Sequence, residues 1–385
     1  MSWPPDDAKL ARIRELMAAQ ELDALVVRAP DNVLYLSNFW GMKGYEALVF
    51  PREGAPTLIC LEASAEDAAG TAWTEDVRLV AGYDRGDPRP PTARTLELAQ
   101  SAARGYERVG LELSLGTQAS DRMAGEPTTF TQAWFAGFAD PVDAVPLLAE
   151  ARAIKTEQEV ERMQLANDIC AAGMEHVRAN LRPGMKESQA AALWQGFVHG
   201  EGTGWHGKVA LALAFSLVWS GPGIKSFTAT GDRPVKEDEP TLYEIWVCAD
   251  GYWCDHTKNV CPGELRPEYA ELERSLLGVY NGAIDRCRPG ASLAELDRSI
   301  REGLAAAGYP GQPSHPVCHG IGARAHEPPY AHQAAAGTIE EGMVLAIEPG
   351  VYWDGGGGLR VEDNFLITAD GAEKLSSFPD GVVCG

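Results

Sequence analysis

The chain has 385 residues, 45% of them hydrophobic and 23% charged, a length that favours two domains over one core. Its formal net charge of −22, without a basic run, excludes nucleic acid and anionic membrane as partners, because phosphate recognition needs clustered Lys and Arg. The start "MSWPPDDAKL" has no charged-then-apolar targeting pattern and no apolar stretch nears the ~20 residues of a membrane span, which predicts a soluble, cytoplasmic protein with no membrane partner.

Residues 1–150 alternate helix and strand. "DDAKLARIRELMAAQELD" has apolar residues at helical spacing behind an Asp-rich start. "ALVVRAP", "EALVFPRE", "APTLICLE" and "GYERVGLEL" read as short strands ended by Pro or Gly, and the alternation predicts an α/β layer domain. A boundary near residue 150 leads into a long amphipathic helix from about 154, stopping before Pro183-Gly184, and "KESQAAALWQGFVHG" reads as a second helix. Strand-like runs follow at 208–219 and 241–260, helices near 267–287 and 292–307, then strands near 314–319, 342–348 and 359–367. Helices then strands, twice over, predict a duplicated α+β unit for 151–385. The eight cysteines are scattered without a CxxC pair, several inside apolar runs, which predicts buried, reduced thiols.

Three stretches carry chemistry. In "EIWVCADGYWCDHTKN", Asp250-Gly251 is a hairpin-turn signal, and that turn pairs residues whose numbers sum to 501. Glu244 then faces Thr257, with Asp255 one diagonal step away on the same face. Carboxylates among Ile, Trp, Val and Tyr are costly unless a cation meets them, the alternative being a solvated hairpin edge. In "MVLAIEPGVYWDGGGGLRVEDN", Glu348 ends an apolar strand, while Arg360 and Glu362 share a strand face. A surface Arg–Glu pair explains those two but not Glu348. In "CHGIGARAHEPP" the choice lies between a Gly-rich turn with satisfied histidines and a metal site. Cys318 is no nucleophile in acid-rich surroundings. Together Glu244, Asp255, His319, Glu348 and Glu362 outnumber the needs of one divalent cation, and two metals about 3.5–4 Å apart, making a hydroxide nucleophile, balance the charge. Oxygen ligands with one His favour manganese, iron, cobalt or zinc.

With these motifs in this order, the sequence resembles the pita-bread metallopeptidase family: aminopeptidase P, prolidase, methionine aminopeptidase and their non-peptidase relative creatinase. "ELDALVVRAPDNVLYLSNF" is similar to the opening of the creatinase/prolidase N-terminal domain, and "ARAIKTEQEVERMQLA" to the helix that opens the catalytic domain. "HGIGARAHEPP", "EEGMVLAIEPGVY" and "LRVEDN" are similar to its late motifs. The resemblance implies a pita-bread domain over 151–385 behind a smaller α/β domain over 1–150. It implies bridging roles for Asp255 and Glu362, one metal on His319 and Glu348, and the other on Glu244. It further implies Glu348 as proton shuttle, His326 as the histidine touching the substrate carbonyl, His315 as a further pocket histidine, and Arg360 as support for Glu362.

Two departures from the family bear on activity. Glu244 stands where the family has Asp, adding about 1.5 Å of reach. The peptidase histidine expected in "SGPGIKSFTATGDRP" is Phe227 or Thr228, and no histidine lies between 207 and 255. The usual Asp-x-Thr-Arg-Thr reads Lys258-Asn259 at its end. The expectation is a dinuclear metal-dependent hydrolase cleaving a C–N bond of a small substrate, an Xaa-Pro dipeptide or related amide, through a metal-bound hydroxide. The alternatives are a creatinase-like amidohydrolase or lyase on the same scaffold, and an inactive binding protein. Lys43 and Tyr45 are candidates for a substrate carboxylate, and His206 is the candidate replacement for the missing histidine. The resemblance implies a homodimer whose N-terminal domain walls off a neighbour's cleft.

Overall fold

The structure is a computed structural model describing residues 3–41, 44–82, 86–114, 128–225, 228–353 and 355–385, without the side chains of 128–131. It divides into two compact units, Met1–Arg152 and Ala153–Gly385.

The first unit is a mixed sheet with helices. Its strands are β1 (Ala24–Val27), β2 (Ala47–Pro51), β3 (Thr57–Leu61), β4 (Asp76–Val80), β5 (Val109–Leu111) and β6 (Pro141–Asp143), in spatial order β4-β3-β2-β1-β5-β6. The helices are α1 (Asp7–Ala19), α2 (Pro30–Ser37), α3 (Ala65–Thr71), α4 (Pro91–Ala102), α5 (Thr128–Ala136) and α6 (Val145–Ala153). Leu25 and Val27 join one core cluster while Ala24 and Val26 join another, so β1 is apolar at every position because both sheet faces are covered.

The second unit is built twice from a helix pair and a sheet. Helices α7 (Glu157–Asn180) and α8 (Glu187–Phe197) pack on β7 (Ala212–Ser220), β8 (Thr241–Ala249) and β9 (Tyr252–Cys261). Helices α9 (Pro267–Ile284) and α10 (Leu293–Ala306) share a core with the second sheet, which holds β10 (Cys318–Gly320), β11 (Glu327–Tyr330), β12 (Val344–Ile347), β15 (Asp363–Thr368) and β16 (Gly371–Lys374). Between them in sequence, β13 (Gly350–Trp353) and β14 (Gly357–Arg360) form a separate ribbon, and β17 (Val382–Cys384) adds an edge beside β9. Thr156 and Glu159 close a capping box at the start of α7, and the helix ends at Asn180, before Gly184 at φ 87°.

Asp250 and Gly251 both have positive φ, 47° and 88°, as a two-residue hairpin turn requires. The register is the expected one: Glu244 lies opposite Thr257 and Trp246 opposite Asp255. The two sheets meet where β9 runs antiparallel to residues 360–364. Thr257 bridges Glu362 in the backbone. On either side, asparagine side chains make the cross-links. Asn259 donates to the Arg360 carbonyl at 2.8 Å, and Asn364 takes the Asp255 N–H at 3.0 Å and donates to the Asp255 carbonyl at 2.9 Å.

Candidate metal centre

This junction gathers the acidic side chains of both halves. Hairpin β8–β9 supplies Glu244, Asp255 and Thr257, β10 supplies His319, the end of β12 supplies Glu348, and the β14–β15 junction supplies Arg360 and Glu362. All seven are buried. His319 Nε2 stands 3.7 Å from Asp255 Oδ2, 3.7 Å from Glu348 Oε1 and 3.9 Å from Glu362 Oε1. Glu244, Asp255 and Glu362 have donor oxygens within 4.8 Å of one another, as do the donors of His319, Glu348 and Glu362.

The histidine tautomer decides what the cluster wants. His319 Nδ1 lies 2.9 Å from the Gly320 carbonyl, which only accepts, so Nδ1 carries the proton. Nε2 therefore turns a lone pair toward three carboxylates, and neither it nor either oxygen of Asp255 has a hydrogen-bond partner among the described residues. Burial and the carboxylates of Glu362 and Glu348 push Asp255 well above its ordinary range; burial and Glu362 do the same to Glu348. Burial holds His319 neutral, lowered to about 4. Lone pairs converging on one buried point are satisfied by a cation, and carboxylates with one imidazole suit a divalent metal ion.

The Glu244 end is different. The Thr257 hydroxyl lies 3.0 Å from Glu244 Oε2 and 2.8 Å from Glu362 Oε2, and itself accepts from Arg360 Nε at 2.6 Å. The Arg360 guanidinium is ion-paired with Glu244. Arg360 Nη1 also donates to the Tyr352 hydroxyl at 3.3 Å, which lies 3.0 Å from His315 Nε2. Gly350 makes room for this contact, since a Cβ there would stand 2.7 Å from that hydroxyl.

Of the remaining predicted residues, His326 and His315 reach the cluster. His326 stacks on His319 with ring centroids 4.3 Å apart and places Nε2 3.5 Å from Asp255 Oδ2. Burial, then the neighbouring His319, lower it to about 3. His315 Nδ1 lies 3.3 Å from Glu348 Oε2, and burial lowers its pKa too. The glutamate of "AHEPP" stands apart: Glu327 pairs with buried Lys155 at 3.0 Å. Gly320 is required by close approach, since a Cβ would lie 2.5 Å from the Pro328 carbonyl oxygen.

His206 is not gathered in. It is exposed in the turn before β7 at φ 48°, edge-on to Trp205 at 4.8 Å, and no described contact joins it to the cluster. Turn geometry claims it, because the glycines on either side give the chain a tight bend there. Thr228 is exposed and its carbonyl accepts from Trp219 Nε1 at 3.1 Å. Tyr45 packs against the core of the first unit. Lys43 and Phe227 lie outside the described residues. The sequence reading did not single out Tyr352 or Asn364. The signal for Asn364 was its spacing of two from Glu362, which puts both on one strand face.

Comparison with known proteins agrees with this geometry. The profile of metallopeptidase family M24 matches residues 161–369, and that of the creatinase/prolidase N-terminal domain matches residues 9–154. A putative dipeptidase, YkvY of Bacillus subtilis, is 24% identical over 381 residues, covering 97% of this chain and 99% of the relative. Among solved structures, the prolidase from Pyrococcus horikoshii has a TM-score of 0.79 at 23% identity, covering 97% of this chain and 99% of that one. Dipeptidase PepE from Mycobacterium ulcerans has a TM-score of 0.77 at 25% identity, covering 99% of each chain. The chain therefore belongs to metallopeptidase family M24: it is a metal-dependent peptidase-family enzyme of the pita-bread fold behind a creatinase/prolidase-type N-terminal domain.

Proposed function

We propose that the protein hydrolyses the C–N bond of a small peptide or amide, an Xaa-Pro dipeptide in the first instance. In this reading Glu244, Asp255, His319, Glu348 and Glu362 hold two divalent cations, manganese first, with iron, cobalt or zinc as alternatives. The observation that carries the reading is the His319 lone pair and both Asp255 oxygens, buried, without hydrogen-bond partners among the described residues and directed into one carboxylate-lined space. Bound cations supply Lewis acidity toward the scissile carbonyl and lower the pKa of water toward neutrality. Asp255, Glu362 and His319 each belong to two of the donor groups; of these the two carboxylates, with two oxygens each, would be the residues able to serve both cations. Glu348 takes the proton from the attacking water and returns it to the leaving nitrogen. His326, neutral because burial lowers it, donates toward the substrate carbonyl, and His315 orients through the Tyr352 hydroxyl. A homodimer and a cytoplasmic site of action complete the reading, as does the assignment of 151–385 as its catalytic domain.

A second reading is a creatinase-like amidohydrolase or lyase on the same scaffold. Two features favour it: the segment 221–234 contains no imidazole, and Glu244 is already engaged by Arg360. Weak turnover of Xaa-Pro dipeptides follows from the first feature, since a pocket imidazole contributes about 10²–10⁴-fold. The test is elemental analysis of the reconstituted protein, run beside a panel of Xaa-Pro dipeptides, longer Xaa-Pro peptides and small amides. Stoichiometric metal with dipeptide turnover supports the first reading. Metal with turnover of another amide alone supports the second, and no bound metal ends the first.

A further inference from the structure

Behind the carboxylate cluster, on the other face of β9, lies a second group of metal-ligating side chains. Cys254 and His256 flank Asp255 along the strand, so their side chains turn away from it, toward α7. There they meet Cys170. The two sulfurs and a ring nitrogen of His256 all lie within 4.8 Å of one another. Relative exposure is 1% for Cys170 and 0% for Cys254 and His256, so none of them is a surface ligand met by chance. The hydrolysis proposed above uses none of the three.

We infer that Cys170, Cys254 and His256 form a binding site for a thiophilic divalent cation, zinc or cadmium, chemically distinct from the oxygen-rich centre. The donor set gives the class: thiolate and imidazole select these ions over manganese or magnesium, which prefer carboxylates. Geometry allows it. Two thiolates bound tetrahedrally at about 2.3 Å stand about 3.8 Å apart, so the sulfurs need close by no more than about 1 Å. The surroundings orient the imidazole. His256 Nδ1 lies 3.2 Å from Asp363 Oδ1, which Lys258 also contacts, close enough for a small turn of the ring to complete the carboxylate–histidine arrangement that backs ligating histidines. Nε2 now faces Asn167 Oδ1 at 2.8 Å; with a cation bound, that oxygen becomes a donor for the fourth position.

The inference stands independently of the proposed hydrolysis. It is tested by titrating cadmium into the full-length protein after its oxygen-rich centre has been filled with manganese. The thiolate-to-cadmium charge-transfer band in the ultraviolet reports sulfur coordination. One equivalent is expected to develop the band. Cys170→Val and Cys170→Ser are each expected to remove it without changing the manganese count. Cys384→Ser, which removes the exposed cysteine, is expected to leave it. No band at saturating cadmium overturns the proposal, as does a band that survives both Cys170 variants or vanishes in Cys384→Ser. Should the Cys170 variants not fold, cadmium-113 resonance of the unmutated protein decides: a shift for sulfur-and-nitrogen coordination supports the site, and an all-oxygen shift overturns it.

Discussion

The two ends of the carboxylate cluster are made of the same residue types and behave differently. At the His319 end, Asp255 and the imidazole lone pair have no partners among the described residues. At the Glu244 end, Thr257 and Arg360 already serve Glu244 and one oxygen of Glu362. A buried carboxylate beside a resident guanidinium needs no second cation to be stable, whereas one beside other carboxylates does. The contrast shows that carboxylate count alone does not give metal demand; the hydrogen bonds each oxygen already makes must be subtracted first.

The largest effect should come from the acid at the His319 end that also carries the chemistry. Glu348→Gln keeps side-chain volume but loses a ligand charge and the proton carrier, so kcat should fall by about 10²–10⁴-fold with the fold intact by circular dichroism. Retention of more than a tenth of kcat would move the chemistry elsewhere.

The contrast itself is broken or kept by a pair of variants read by calorimetric metal titration. Asp255→Asn, at the open end, should weaken metal binding by more than about 100-fold, and Glu244→Gln, at the satisfied end, by less than about 10-fold. Equal losses would show that Arg360 leaves Glu244 as available as Asp255. Glu244→Asp, which draws the carboxylate back by one methylene, should sharpen the second binding event.

His326→Ala should lower kcat/KM by about 10²-fold on whichever substrate is turned over, the lower end of the range for an acid–base imidazole. An unimpaired variant would leave that ring a packing role against His319.

The smallest effect is on stability against pH. In the metal-free protein, burial and neighbouring carboxylates raise Asp255 and Glu348, so the folded state keeps protons that the unfolded chain releases near pH 4. Their contribution is full below that pH and lost as pH rises, so Tm should decline from about pH 5 to 8. His319 and His326, lowered to about 4 and about 3, act oppositely: their contribution is full above about pH 6.5 and lost on acidification. Added divalent cation should flatten the alkaline decline. A metal-free protein whose Tm rises steadily across that window would contradict the balance of the two.

Much of this site was legible in sequence because its short-range geometry is periodic. The Asp250-Gly251 turn set the hairpin register, and strand alternation put Glu244, Asp255 and Thr257 on one face. An apolar strand running into Glu348 marked that residue in the same way. His206 misled, since closeness along the chain carried no information about a turn that points it to solvent. Tyr352 was invisible and Asn364 showed only its shared face with Glu362, because the partners of both lie far away in sequence. His315 is 37 residues from Tyr352 and Asp255 is 109 from Asn364. Long-range pairing leaves no periodic trace.

The asparagine cross-links have a consequence for how the molecule opens. The Asp255 amide hydrogen is held by the Asn364 side chain, from the other half of the repeat. It can exchange with solvent only when the two halves separate. Its exchange free energy is therefore a gauge of their cohesion, and its match to that of the α7 core amides would mark residues 153–385 as one cooperative foldon rather than two.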